Sequence, residues 1–364
     1  MVSQKKMNSI VWYVPMSGKG PDIESSCRKL QLLIKSSGVL DNIEKDDFTC
    51  IKLHFGEKEN TGRIRSELVR EVASEVSKKT KNAFLSDTNV LYKNSSRTNS
   101  VDHLKTAHAH GFSIEKTGIP VIISDGLFGR DYMDILIEKK HFKDVKIARD
   151  IAACDKMVVL THVTGHMYTG LGGAIKNLGM GCASRRGKYE QHSGAVPTVE
   201  PEFCVACGLC RANCPAGCIK MENGKANILS GSCIGCGECV VVCRTKAINI
   251  KWSEKLENLQ EKMVEYAYGA VKAVEGNAVY ISFLLKVTKN CDCIALDEPA
   301  IVEDMGILAS RDPVAIDKAS CDLINQRSGK DIFKEVNPIT RWNVQIEYAA
   351  KIGLGNTAYT IKEI

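Results

Sequence analysis

Residues 203–250 read FCVACGLCRANCPAGCIKMENGKANILSGSCIGCGECVVVCRTKAINI, and the rest of the chain is organised around them. The stretch holds two copies of C-x2-C-x2-C-x3-C: Cys204, Cys207, Cys210 and Cys214, then Cys233, Cys236, Cys239 and Cys243. Every cysteine of the second copy follows its counterpart by the same 29 positions, so the pattern is an internal repeat. Two intervening residues let a tight turn aim three thiolates at corners of a small metal–sulfur cube, while the longer step carries the fourth thiolate elsewhere. Zinc sites and disulfide frameworks use other spacings. A ninth cysteine, Cys218, aligns with Ala247 in the second copy, so the repeat assigns it no ligand role.

The spacing resembles that of bacterial ferredoxin-type runs, where three cysteines of a motif hold one [4Fe-4S] cluster and the fourth reaches the other cluster. That resemblance implies one cluster on Cys204, Cys207, Cys210 and Cys243, and a second on Cys233, Cys236, Cys239 and Cys214. Pro215 follows Cys214 as in the ferredoxin pattern, whereas Arg244 follows Cys243, a departure that removes no ligand.

The 364 residues, 44% hydrophobic and 25% charged, leave room for one large domain and a small one. A net charge of +6, without a basic stripe interleaved with aromatics, points away from nucleic acid. No run reaches 18 apolar residues, so no membrane span is expected. The start of the chain, with an apolar run broken by Tyr13 and Pro15, reads as a strand and not as a signal peptide. Of 16 cysteines, eight are assigned to oxygen-sensitive clusters. The expectation is a cytoplasmic protein of an anaerobe.

Outside the cysteine repeat, short apolar runs alternate with helical patterns, as a mainly parallel open α/β sheet with helices on both faces requires. Strands are read at 10–13, 48–53, 83–85, 121–124 and 157–160, with helices at 23–36, after a Ser66 cap, at 101–110 and at 148–153. Beyond the repeat, Leu256, Leu259, Met263 and Tyr266 mark a helix, 278–285 a strand, Asp312-Pro313 a helix start and 342–348 a last helix. The α/β domain is therefore read as discontinuous, 1–196 and 252–364, with a small α+β ferredoxin-like module inserted at 197–251.

In such sheets ligands bind beyond the carboxyl ends of strands. Four strands lead into His54, Asp87, Asp125 and His162, which are expected to converge on one rim; the alternative is that each only caps the next helix. A glycine-rich stretch follows, with Gly170, Gly172 and Gly173 ahead of Lys176 and between His166 and Arg185-Arg186. It lacks both Walker and dinucleotide spacing, and its N–H groups at the next helix start favour an anion. His162, His166 and Lys176 are the candidate acid–base residues, and Gly170, Gly172, Gly173, His54, Asp87 and Asp125 the candidate ligand-binding residues. Cys291 and Cys293, one residue apart, are two soft ligands, which do not by themselves make a metal site.

With these residues in view, the chain resembles the domain-of-unknown-function family 362, in the version carrying an embedded two-cluster ferredoxin module. The likeness rests on KLHFGE (52–57), LSDTNVLY (85–92), ISDGLFGRD (123–131), THVTGHMYTGLGGAIKNLGMGCASRRGK (161–188), NCDC (290–293) and GILASRDPVAID (306–317). A local likeness to the lactate racemase family is confined to His166 and Lys176, ten residues apart about a glycine turn, and that family's nickel cofactor is not carried over. The expected function is an iron–sulfur oxidoreductase, or a component of one, passing electrons to a small molecule or metal on its own α/β domain and working with a redox partner protein. The alternative is an electron carrier or a metal or cofactor delivery protein, with Cys291, Cys293, His54 and His162 as ligands.

Overall fold

The computed structural model describes residues 8–16, 22–91, 95–192, 196–233, 237–249 and 254–364; Cys236 and the expected domain boundary at 251–252 lie outside them. An eight-stranded sheet forms the centre. Its strands are β1 (Ser9–Pro15), β2 (Thr49–Lys52), β3 (Ala83–Asp87), β4 (Val121–Ile123), β5 (Lys156–His162), β6 (Ala278–Leu284), β7 (Gly306–Ser310) and β8 (Tyr359–Glu363). Their order is β8-β1-β7-β6-β5-β2-β3-β4. Only β7 runs antiparallel to its neighbours β1 and β6, and every other adjacent pair is parallel.

Alternation along the strands explains why both faces are covered. Val158 and Leu160 join Val279 and Ile281 beneath the helices Ile23–Ser37 and Ser66–Ser77. Met157 and Val159 join Tyr280 on the other face, under Leu256–Ala273 and Pro313–Ser328. Strands buried on both sides read as continuous apolar runs. All six strands expected from the sequence form. β7 and β8 were not among them: β7 is a short segment beginning with a glycine, and β8 is a half-exposed edge strand with polar residues.

Local signals hold unevenly. Asp312 caps its helix as expected, accepting from Val314 N at 2.9 Å and Ala315 N at 3.0 Å, with Pro313 in the first turn. Ser66 is not a cap; it is the first helical residue, and Arg65 precedes it without a side-chain cap bond. At 148–153 only Arg149–Ala152 is helical, because Ala148 ends a hairpin of Tyr132–Leu136 with Asp144–Ala148.

In the cysteine stretch, Thr198–Val199 pairs with Ile248–Asn249, so the two ends of the segment meet. Gly208 and Gly237, equivalent positions of the repeat, have φ of 73° and 74° and each opens a short helix, Leu209–Ala212 and Glu238–Val242. The sequence repeat is thus a conformational repeat, and glycine is favoured where φ is positive. Among the described residues no helix is long and apolar enough to cross a membrane.

Candidate functional site

The cysteines fall into two groups that do not follow chain order. Cys204, Cys207, Cys210 and Cys243 line one cavity of about 330 Å³, walled by Leu209, Met221 and Ile248. Cys214, Cys233 and Cys239 line a second of about 290 Å³. Four sulfur donors in an apolar wall, with Ala247 N donating to Cys243 Sγ at 3.2 Å, are a donor set suited to an iron–sulfur cluster. Cys218 also lines the second cavity, its sulfur 3.4 Å from that of Cys214, although the repeat gives it no ligand place.

A larger cavity, about 990 Å³ including its open mouth, lies beyond the carboxyl ends of β2, β3 and β5. His54, Asp87, His162, His166, Gly172, Gly173 and Lys176 line it, as do Cys291, Asp292 and Cys293. Asp125 and Gly170 are not in the lining. The Asp125 carboxylate accepts from the backbone N–H of Asn89 at 3.0 Å and from its side-chain amide at 2.9 Å, so it latches a loop; burial pushes its pKa up to about 6, with Lys188 pulling the other way. Gly170 turns the hairpin at φ 71°, against Trp342.

Burial dominates the electrostatics. Asp87 lies 3.1 Å from Lys52 Nζ and 3.8 Å from Arg97; burial opposes its charge, but the Lys52 ammonium and neighbouring groups hold its carboxyl well below the usual range. His54 Nδ1 accepts from Gly56 N at 2.9 Å, and burial with the nearby Arg97 holds the ring neutral. His166 Nδ1 accepts from Tyr168 N and Thr169 N at 3.2 and 3.1 Å, and burial with Lys176 again pushes its pKa well down. Both rings therefore carry their proton on Nε2. Burial lowers Lys176 and Lys188 to about 8 and His192 to about 3. The two lysines, so displaced, are able to exchange protons near neutral pH, whereas His192 stays neutral.

His162 is committed differently. Its Nδ1 faces both Asp292 oxygens at 3.0 Å, and its Nε2 faces the carbonyls of Leu285 and Lys286. Beside it, Cys291 and Cys293 are joined as a disulfide with their Cα atoms 5.3 Å apart. The histidine grouped with that pair is His166, not His54 or His162: the donor atoms of His166, Cys291 and Cys293 lie within 4.8 Å of one another.

The helix start after the glycines is not an open anion site. Asp317, on the helix Pro313–Ser328, fills it: Oδ1 accepts from Ala174 N at 2.6 Å and Oδ2 from Ile175 N at 2.9 Å. Gly173 is required there, since a side chain would overlap that carboxylate. Arg185 turns to the carbonyls of Phe128 and Val241, and Arg186 to Glu190 and Glu238. An internal carboxylate and internal acceptors thus take the groups that sequence alone offered to a ligand.

Sequence reasoning missed Arg97, Lys188, His192 and Asp292 in the lining. One signal was present: Lys188 and His192, four residues apart, share a face of the helix Arg185–His192. The same helix carries Tyr189, which packs with Leu91, Cys210 and Cys239 in the core of the cysteine stretch. Leu91 also lines the large cavity, so it belongs both to that core and to the cavity wall.

A family model described as Domain of unknown function (DUF362) matches residues 49–322. A ferredoxin of Pyrobaculum islandicum is 35% identical over 83 residues, 22% of this chain and 72% of that protein. Pyruvate synthase subunit PorD of Methanothermobacter marburgensis is 32% identical over 81 residues, 22% of this chain and 93% of that protein. Among solved structures, the lactate racemase apoprotein of Thermoanaerobacterium thermosaccharolyticum aligns over 77% of this chain and 51% of its own, with a TM-score of 0.41 and 12% identity. At that score it supplies neither fold nor activity.

Proposed function

Because this chain belongs to the DUF362 family and carries a ferredoxin-type iron–sulfur module, we propose that it is a redox protein that passes single electrons, by way of two [4Fe-4S] clusters, to a ligand in the cavity at the strand ends. The observation that carries this is the crossed grouping of the cysteines. Cys243 shares a cavity with Cys204, Cys207 and Cys210, and Cys214 shares one with Cys233 and Cys239. Those residues, with Cys236, would hold the two groups, and the chemistry supplied there would be one-electron transfer.

The chain's own residues account for the rest. The meeting of Thr198–Val199 with Ile248–Asn249 supports a module at 197–251 inserted into one α/β domain. Leu91 and Tyr189 join its core to the cavity wall. Within the cavity, the Nε2–H groups of His54 and His166 donate hydrogen bonds to the ligand, and Lys176 and Lys188 favour an anionic one and exchange protons with it. Phe203 and Val205, 55% and 65% exposed beside Cys204, form an apolar edge where a redox partner protein docks.

Anaerobic reconstitution tests the proposal. About eight iron and eight sulfide per chain, two reducible signals by electron paramagnetic resonance, and a co-purifying small molecule by mass spectrometry are expected. Zinc in place of iron, or half that iron, would refute the two clusters. A full iron content without any ligand would leave only an electron carrier, which the exposed Phe203–Val205 edge also suits.

A further inference from the structure

Resting on the proposed electron supply, we propose that Cys291 and Cys293 form a redox-active cystine, an electron acceptor built into the wall of the cavity. Among the described cysteines no others are joined by a disulfide. A bridge between residues two apart closes a very short loop, so it constrains the unfolded chain least and contributes little stability. In a chain that otherwise keeps its described cysteines out of disulfides, such a bridge is better suited to opening and closing than to bracing the fold.

The surroundings favour opening in one direction. Two donors point at a single sulfur: Lys176 Nζ lies 3.4 Å from Cys291 Sγ, and the Cys293 N–H donates to the same sulfur at 3.4 Å. Both stabilise negative charge on Cys291 as the bond breaks. Cys291 is buried and Cys293 half-buried, so the sulfur that gains charge is the sheltered one. The residue between them is held from two sides, by His162 on the Asp292 carboxylate and by Glu57 N on its carbonyl at 2.9 Å. The two sulfurs therefore stay adjacent when the bond opens, and the bond can reform.

The step balances. The cystine takes up two electrons and two protons, the S–S bond breaks, and two thiols result. An external low-potential reductant supplies the electrons one at a time through the module, and solvent supplies the protons by way of Lys176. A soft metal ion on His166, Cys291 and Cys293 is the competing use of these atoms. It is disfavoured because His166 Nδ1 already accepts two amide N–H bonds while Nε2 carries the ring proton, which leaves no free lone pair. The Lys176 ammonium beside Cys291 also repels a cation.

The test is an anaerobic reductive titration of the cluster-loaded full chain, followed by electron paramagnetic resonance and by alkylation with peptide mass spectrometry. Wild type is expected to consume about two more electrons per chain than Cys291→Ser/Cys293→Ser. Cys291 and Cys293 should become alkylated only after reduction. Lys176→Met, which keeps both cysteines, should slow reoxidation of the reduced clusters by the cystine about tenfold, and Lys176→Arg should restore it. Equal electron uptake in wild type and double variant, alkylation of both cysteines before reduction, or a stoichiometric metal lost only in the double variant would each overturn the cystine. Absence of the cluster signals would instead refute the electron supply, while alkylation would still report the state of the two cysteines.

Discussion

His162 and Asp292 lock the end of the central strand to the cysteine loop: His162 Nδ1 stands 3.0 Å from each Asp292 oxygen, while Nε2 faces the Leu285 carbonyl at 2.9 Å. With acceptors at both nitrogens, the ring is best satisfied when doubly protonated. Burial opposes that charge, but Asp292 and the two carbonyls outweigh it and raise the pKa above the usual 6.5.

A histidine raised in the folded state contributes its full stabilisation below its unfolded pKa and loses it as pH rises through the folded one. His162→Gln is therefore expected to cost about 2 kcal/mol at about pH 6 and clearly less at about pH 9. Urea unfolding of both proteins at the two pH values checks this. A cost that did not change with pH would show that the ring does not change charge between the two values, against a pKa raised into that window.

Lys52 and Asp87 form a buried pair at 3.1 Å, with side-chain exposures of 0% and 3%. Lys52→Met leaves the carboxylate with the more distant Arg97 and His103 and should cost about 3–5 kcal/mol. Lys52→Met/Asp87→Leu should recover a good part of that loss, since no unpaired charge remains. A coupling below about 0.5 kcal/mol in the double-mutant cycle would mean that the two act independently.

Cys214→Ser and Cys243→Ser remove the final cysteine of the first and second motif, which line different cavities. Each should lower the iron content to about half and remove a different reduced signal by electron paramagnetic resonance. Loss of the signals in the uncrossed order, each motif losing its own, would contradict the grouping.

Gly208 and Gly237 share the same backbone conformation but not the same surroundings. Nothing lies within 4 Å of a methyl group at Gly208, whereas one at Gly237 would overlap the Tyr189 ring. Gly208→Ala should cost about 1 kcal/mol from the left-handed backbone alone. Gly237→Ala should cost clearly more and loosen the contact between the module and the helix bearing Lys188 and His192. Thermal loss of the cluster absorbance reads both; equal effects would mean that Tyr189 moves aside freely.

The chain's local spacing determined a great deal by itself. Three cysteines two residues apart are constrained by the turn they share, so the repeat was legible without a partner, and the structure adds that Gly208 and Gly237 share nearly the same positive φ. Strands buried on both faces announced themselves as apolar runs, and strand ends brought His54, Asp87 and His162 to the cavity. Tertiary structure decided what those residues can do, because their partners come from distant elements. Asp317 reaches the helix start at Ala174 across 143 residues, and Asp292 claims His162 across 130. The antiparallel β7, the convergence of Lys188 and His192 on the cavity, and the position of Lys176 against Cys291 follow from packing between elements. A motif's spacing encodes the geometry within one turn of chain, but the hydrogen-bond partner of a buried side chain is set by whichever segment packs against it.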